Sequence, residues 1–168
     1  DQLPDVIKKY GQRVCVITGN HTNTDESPLV GLSPDIAIWR SKGEPSVQGV
    51  RAAVAAAEDF APDVIVALGG GSIIDTGKAV GILLRNDGDL MDYLEVVGRG
   101  IPLTPESVPV IALPTTSGTG TEVTANAVIY SAEHQVKASL RSTAMIPTVA
   151  IVDPHLTVSC PPAVTASS

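Results

Sequence analysis

Aromatic rings are scarce in this chain: one Phe, one Trp and three Tyr among 168 residues leave a core to be built from Ala, Val, Ile and Leu packed between sheet and helices. With 43% hydrophobic residues the length suffices for one domain and requires no second core. Only two cysteines occur, Cys15 in an apolar stretch and Cys160 in a Pro-rich tail. They have no metal or redox spacing and are expected as one buried and one exposed thiol. His21, His134 and His155 occur singly, without a second His at i+3 or i+4, so solvated loop positions are expected for all of them. The apolar runs stop at strand length, so no transmembrane span is expected. The start lacks a charged-then-apolar signal segment, and a cytoplasmic location is expected. A formal net charge of −7 without clusters of Lys and Arg excludes sequence-independent binding to nucleic acid. Neither internal repeats nor low-complexity blocks are present, which excludes a solenoid.

What is present is an apolar strand that runs through three glycines into a helix, VALGGGSIIDTGK over residues 66–78. Residues 64–68 are continuously apolar and rich in β-branched side chains, the pattern of a strand buried on both faces of a parallel sheet. Gly69, Gly70 and Gly71 can take positive φ and let a ligand lie against the backbone. Ser72 is expected to cap the next helix, whose free N–H groups and positive dipole end suit a phosphate or pyrophosphate. The P-loop pattern, aligned on Gly77-Lys78, needs Gly at Ser72 and Ser or Thr at Ala79, and misses both. The dinucleotide pattern G-x-G-x-x-G, aligned on Gly69 and Gly71, needs Gly at Ile74 and fails. A tight strand-to-helix turn without a ligand is the plain alternative.

A second strand-loop unit follows. Residues 108–113 read as another buried strand, and PTTSGTGTEVT over residues 114–124 leaves its C-terminal end. Eight of those eleven residues are Thr, Ser or Gly, giving hydroxyls and exposed amides without bulk. Ligands of open α/β sheets bind beyond the carboxyl ends of the strands, so the two loops are expected to line one crevice.

The rest of the chain gives a strand at 13–18, a polar loop at 20–27 and a short extended piece at 36–39. After a break at Gly43-Glu44-Pro45, Ser46 is expected to cap a helix to about Phe60, with Val47, Val50, Val54 and Ala57 on one face. A helix is expected over 73–84, a short acidic helix over 90–96 and a loop over 101–107. Residues 126–131 and 135–140 read as a hairpin around Ala132-Glu133-His134, and 149–152 as a final strand.

GGGSIIDTGK (69–78) and PTTSGTGTEVT (114–124) closely resemble the two cofactor-domain motifs of the iron-containing, or group III, alcohol dehydrogenases. Asn126, Lys137, Pro147 and Asp153-Pro154 recur at the family's spacing, and residues 14–19 (VCVITG) look like its first nucleotide-binding strand. The resemblance covers nearly the whole chain. It implies an α/β fold with a Rossmann-like parallel sheet, flanking helices and a β-hairpin: a dinucleotide-binding domain over 1–152, with 153–168 connecting toward an all-helical metal-binding domain. The family's Asp and three His metal ligands lie beyond such a stretch, so Fe2+ or Zn2+ is expected only in a full-length protein, and the 168-residue chain alone is expected to be inactive.

The activity implied is hydride transfer between a nicotinamide and a small alcohol or aldehyde, with the metal as Lewis acid. By position, Gly70, Gly71 and Ser72 would hold the pyrophosphate, and Thr115, Thr116 and Thr119 the adenosine side or the phosphates. Asp75, Asn126 and Lys137 would sit nearer the nicotinamide and its ribose. Each has a plainer reading: Asp75 and Lys78 are spaced as an i, i+3 helical pair, Asn126 as a strand-edge residue and Lys137 as a hairpin charge. Many relatives place Asp where this chain has Gly19; without that acid the cofactor NAD(P) is expected to lean toward NADP, unless Asp25 or Glu26 folds back. A non-catalytic dinucleotide-binding module and a glycerol dehydrogenase or dehydroquinate synthase relative are the alternatives. No nucleic-acid or membrane partner is expected, and a homo-oligomer is left open.

Overall fold

The two apolar runs at the start and middle of the chain lie side by side in a parallel sheet in the computed structural model, which describes residues 2–20, 22, 28–29, 31–32 and 35–167. The strands are β1 (Arg13–Gly19), β2 (Asp35–Ser41), β3 (Val64–Gly69), β4 (Val110–Pro114), β5 (Asn126–Ser131), β6 (Val136–Arg141) and β7 (Val149–Ala150). The main sheet has the order β2-β1-β3-β4-β7 with every pairing parallel, and β5 and β6 form a separate antiparallel pair. The expected Rossmann-like sheet with a hairpin is present. The short extended piece near Trp39 is a full edge strand, paired along its length with β1.

The helices are α1 (Leu3–Ile7), α2 (Val47–Phe60), α3 (Gly71–Leu83), α4 (Leu90–Tyr93) and α5 (Pro162–Ser167). Ser46 caps α2 as expected, its side chain accepting from the Gly49 N–H. Helix α4 is shorter than the 90–96 expected from its acids, because Leu94 is already extended and Val96 sits at φ 67°. Asp89 and Asp92 close a capping box around its start.

Alternation explains the layers. Cys15 and Ile17 of β1 pack with Ile65 and Ala67 of β3 under Ala53 and Ala57 of α2 and Ile74 and Val80 of α3. Val14, Val16, Val64 and Val66 face the other way, onto Leu3 and Ile7 of α1 and onto Leu156 near the C-terminus. Both faces are covered, hence the continuous apolar runs. The hairpin forms an outer layer: Ala127, Ile129, Ala138 and Leu140 pack on Ala79, Ile82 and Leu83, so α3 lies between sheet and hairpin.

That sandwich explains two glycines. A Cβ on Gly77 would stand 2.8 Å from Ala67 Cβ, and one on Gly81 would stand 2.9 Å from Val110 Cγ2 and 3.0 Å from the Val108 carbonyl. Four residues apart, they form the face on which α3 approaches the strands. Gly77 therefore serves helix–sheet contact.

Candidate cofactor site

Strand β3 ends at Gly69, Gly70 is the helix cap and α3 starts at Gly71, so the strand enters the helix with almost no connection. Two expectations are corrected here. Ser72 is not the cap: it lies in the first turn of α3, and its carbonyl accepts the Thr76 hydroxyl at 2.9 Å. None of Gly69, Gly70 and Gly71 has positive φ, and Gly70 is extended at φ −73°, ψ −177°. Crowding is the reason for glycine there. A Cβ on Gly69 would stand 2.5 Å from Ile73, one on Gly70 3.3 Å from Thr116, and one on Gly71 3.0 Å from Thr121 Oγ1. Gly70 carries no side-chain cap, and first-turn N–H groups have no partner within a helix, so the start of this 13-residue helix presents donors and a positive dipole end.

The left-handed conformations lie in the Thr-rich loop, where Gly118 has φ 92° and Gly120 φ 63°. They let the chain leave β4 and double back over the glycine turn. The two loops are joined by the Thr115 N–H donating to the Gly69 carbonyl at 2.9 Å. Lys78, fully buried on α3, donates from Nζ to the Thr121 carbonyl at 3.0 Å and to Thr124 Oγ1 at 3.1 Å. It also pairs with Asp75 Oδ1 at 3.0 Å, the i, i+3 pair anticipated from the sequence. Burial pushes the Lys78 ammonium below its ordinary range, and the facing Asp75 charge opposes that shift. The second Asp75 oxygen accepts the Val128 N–H at 3.0 Å, so one carboxylate ties α3 to the hairpin as well.

A cavity of about 560 Å³ opens beyond the C-terminal ends of β1 and β3. Gly19, Gly70, Thr115 and Thr116 line it, together with His155 and Cys160 from the C-terminal segment. From β1 the chain goes outward to β2 and then crosses to β3 on the other side, so the cavity lies at the topological switch point of the sheet. Its described lining contains no Asp or Glu, although the whole chain carries a net charge of −7. Thr116 Oγ1 is buried there without a hydrogen-bond partner, a donor and acceptor waiting for a ligand or water.

The other residues singled out in the sequence gather elsewhere. Ser72, Asp75 and Lys137 line a second cavity of about 110 Å³ with Glu44 and Tyr130. There Lys137 Nζ lies 2.6 Å from Glu44 Oε1, both side chains more than half exposed. Gly71 and Thr119 face each other across the loop junction, and Asn126 begins β5. Cys160 is half-buried in the cavity wall, a correction to the exposed thiol expected; Cys15 is buried as expected. Asp153 opens a turn, accepting the His155 N–H at 2.9 Å. His21, Asn23, Asp25 and Glu26 lie outside the described residues.

Sequence reasoning missed Arg40. The guanidinium Nη1 donates to the carbonyls of Gly19 and Thr22, each at 3.0 Å, which ties the end of β2 to the chain leaving β1, and the residue itself lines a separate cavity of about 200 Å³ with Trp39 and Lys42. No motif marks this residue, because its place depends on the register of β2 against β1.

Comparison with known proteins agrees with this geometry. The profile of the family described as iron-containing alcohol dehydrogenase matches residues 1–154. Long-chain-alcohol dehydrogenase 1 of Geobacillus thermodenitrificans is 42% identical over 176 residues, covering 100% of this chain and 44% of its own length. The mitochondrial hydroxyacid-oxoacid transhydrogenase of Xenopus laevis is 39% identical, covering 96% of this chain and 37% of its own. The crystal structure of sulfoacetaldehyde reductase from Bifidobacterium kashiwanohense in complex with NAD+ superposes with a TM-score of 0.90 at 31% identity, over 99% of this chain and 45% of that one. The chain thus spans less than half the length of these relatives.

Proposed function

Because this chain belongs to the iron-containing alcohol dehydrogenase family, we propose that it is the dinucleotide-binding part of an NAD(P)-dependent oxidoreductase acting on a small alcohol or aldehyde. The observation that carries this reading is the cavity of about 560 Å³ at the switch point, without Asp or Glu among its described lining residues and bordered by Gly70 at the start of α3. The unpartnered Thr116 hydroxyl and the start of α3, where Gly70 carries no side-chain cap, fit a ligand that hydrogen-bonds. When bound, the nicotinamide supplies the carbon that gives or takes hydride. The chain binds and orients it.

In this reading Gly70, Gly71 and Ser72 offer backbone donors to the pyrophosphate, while Thr115 and Thr116 line the adenosine side. Thr119 stays at the loop junction close to Gly71. Asp75, Asn126 and Lys137 belong to the nicotinamide side, around the smaller cavity. Gly19 leaves room and no negative charge at the adenosine ribose, which favours NADP. Among the described residues no group of three or more His, Cys, Asp or Glu can hold a metal ion, so the family's iron does not fit onto them and no step is assigned to a metal in this chain.

Calorimetric titration with NADP and NAD tests the reading. Binding of both is expected, NADP at least as tightly, with no alcohol oxidation by this chain alone. Gly71→Val is expected to weaken both cofactors about tenfold or more, since a side chain there meets Thr121 and Thr119 and pushes the Thr-rich loop off the glycine turn. Gly19→Asp is expected to penalise NADP by about 1–3 kcal/mol and to spare NAD. Absence of binding, or robust metal-dependent turnover by the chain alone, overturns the proposal.

A further inference from the structure

The small cavity beside the hairpin is lined by ionic groups whose charges cancel in pairs. Asp75 and Lys137 border it together with Ser72, Tyr130 and Glu44. The charge of Asp75 is answered from inside the fold, by the buried Lys78 ammonium at 3.0 Å. Lys137 lies on β6, paired across the hairpin with Tyr130, and among the described residues the one carboxylate it meets is that of Glu44, at 2.6 Å. Glu44 comes from the connection between β2 and α2. That connection is fastened to β5 beside it, where the Tyr130 N–H donates to the Pro45 carbonyl at 2.7 Å and Ser46 bridges to Tyr130. The backbone bond fixes where the Glu44 side chain starts, and the charge-assisted contact fixes where the Lys137 ammonium ends. Both side chains are more than half exposed, so the pair adds little to stability and Glu44 can be changed without unfolding the chain.

We propose that Glu44 acts through Lys137 to balance the charge of the nicotinamide subsite, so that Lys137 holds the cofactor there without repelling the oxidised ring. The inference rests on the reading above that puts the nicotinamide half at the smaller cavity, and it names a positioning residue within it. An oxidised nicotinamide ring carries a positive charge that the dihydronicotinamide lacks. A Lys137 ammonium standing alone would therefore disfavour the oxidised form. With Glu44 present, the pairs Glu44–Lys137 and Asp75–Lys78 leave the described lining neutral. An ammonium has three donors, and those not turned to Glu44 remain for oxygen acceptors on the ligand.

The probes are the oxidised and reduced forms of whichever dinucleotide, NAD or NADP, binds the wild-type chain more tightly, with adenosine 5′-monophosphate as the control for the other half. They are titrated by calorimetry into the wild type, Glu44→Gln, Lys137→Met and the double variant. Glu44→Gln is expected to raise the ratio of oxidised to reduced dissociation constants about fivefold, the scale of one uncancelled charge near a protein surface. Lys137→Met is expected to move the ratio the other way, since Glu44 is then left alone, and the double variant to return it toward the wild-type value. Monophosphate affinity is expected to stay the same in all four proteins. An unmoved ratio in Glu44→Gln overturns the inference, as does a shift of the same sign in both single variants. Equal losses for all three ligands would make Glu44 a strap between the hairpin and the connection after β2, and they overturn it too. If the wild type binds neither dinucleotide, the dinucleotide reading itself falls and this inference with it; if it binds them and the ratio stays fixed, this inference alone falls.

Discussion

Lys78 and Thr124, on different elements and 46 residues apart, are joined by a hydrogen bond of 3.1 Å from a fully buried ammonium to a hydroxyl. With the contacts to the Thr121 carbonyl and to Asp75, this makes Lys78 the post on which the Thr-rich loop is hung over the glycine turn. The site's two loops are thus held in place from inside the fold.

Removing that post leaves a mostly buried carboxylate and a loop carbonyl without their partner. Lys78→Met is expected to lower unfolding free energy by about 3–5 kcal/mol, the scale for breaking a buried pair at one end. Adding Asp75→Asn to Lys78→Met should cost much less than the sum of the single changes. Urea unfolding of the four proteins gives the coupling directly; strict additivity would mean that the pair is not a unit.

Gly77 poses a choice between two effects of opposite sign. Alanine is the better helix former by about 1 kcal/mol. Its Cβ, however, would stand 2.8 Å from Ala67 Cβ with a strand behind it, and overpacking costs about 1–3 kcal/mol. Packing is expected to win, so Gly77→Ala should lower the thermal midpoint. A raised midpoint would show that α3 can move off the sheet freely.

The two thiols should differ in reactivity. Burial raises the Cys15 pKa to about 11, so at pH 8 it is both inaccessible and protonated. Cys160 lies in the wall of the large cavity. Iodoacetamide at pH 8 is expected to label Cys160 alone in the folded chain, and saturating NADP to slow that labelling. Mass analysis of the digested protein locates the adduct; labelling of Cys15 at the same rate would contradict the packing of β1.

Acid should loosen the start of α4. Asp89 takes a bidentate contact from Arg51 and also caps the helix, and these hydrogen bonds hold its carboxyl below the usual range. A depressed carboxylate contributes stability above its unfolded pKa, and that contribution fades as pH falls through the lower folded value. Asp89→Asn is therefore expected to be less stable than wild type at pH 7, with the difference shrinking toward pH 3. Thermal melts across that range give both curves; a constant gap would place the effect in packing.

The sequence by itself determined much of this architecture, because buried parallel strands and polar loops leave local marks. Residues 64–68 read as a strand from their unbroken apolar run, Ser46 as a cap from its place before an apolar face, and residues 126–131 and 135–140 as a hairpin from their breakers. The two motifs at 69–78 and 114–124 located the loops, and their resemblance named the family. Local signals failed where neighbours decide. Ser72 looked like a cap, yet the close pairing of Gly69 with Pro114 and the packing of Gly70 against Thr116 start the helix two residues earlier.

Only the tertiary structure settled what several side chains do. Lys78 matched no phosphate-binding pattern and was ambiguous as a helical charge; burial between sheet and hairpin turned it into a loop anchor, since an ammonium without water must find carbonyls and a carboxylate. Arg40 was invisible because its meaning lies in the register that sets β2 against β1 and brings its guanidinium to the Gly19 carbonyl. Pattern and propensity act through neighbours in the chain. Contacts between residues 21 or 46 positions apart are fixed by how strands cross and layers close, and the site consists of such contacts.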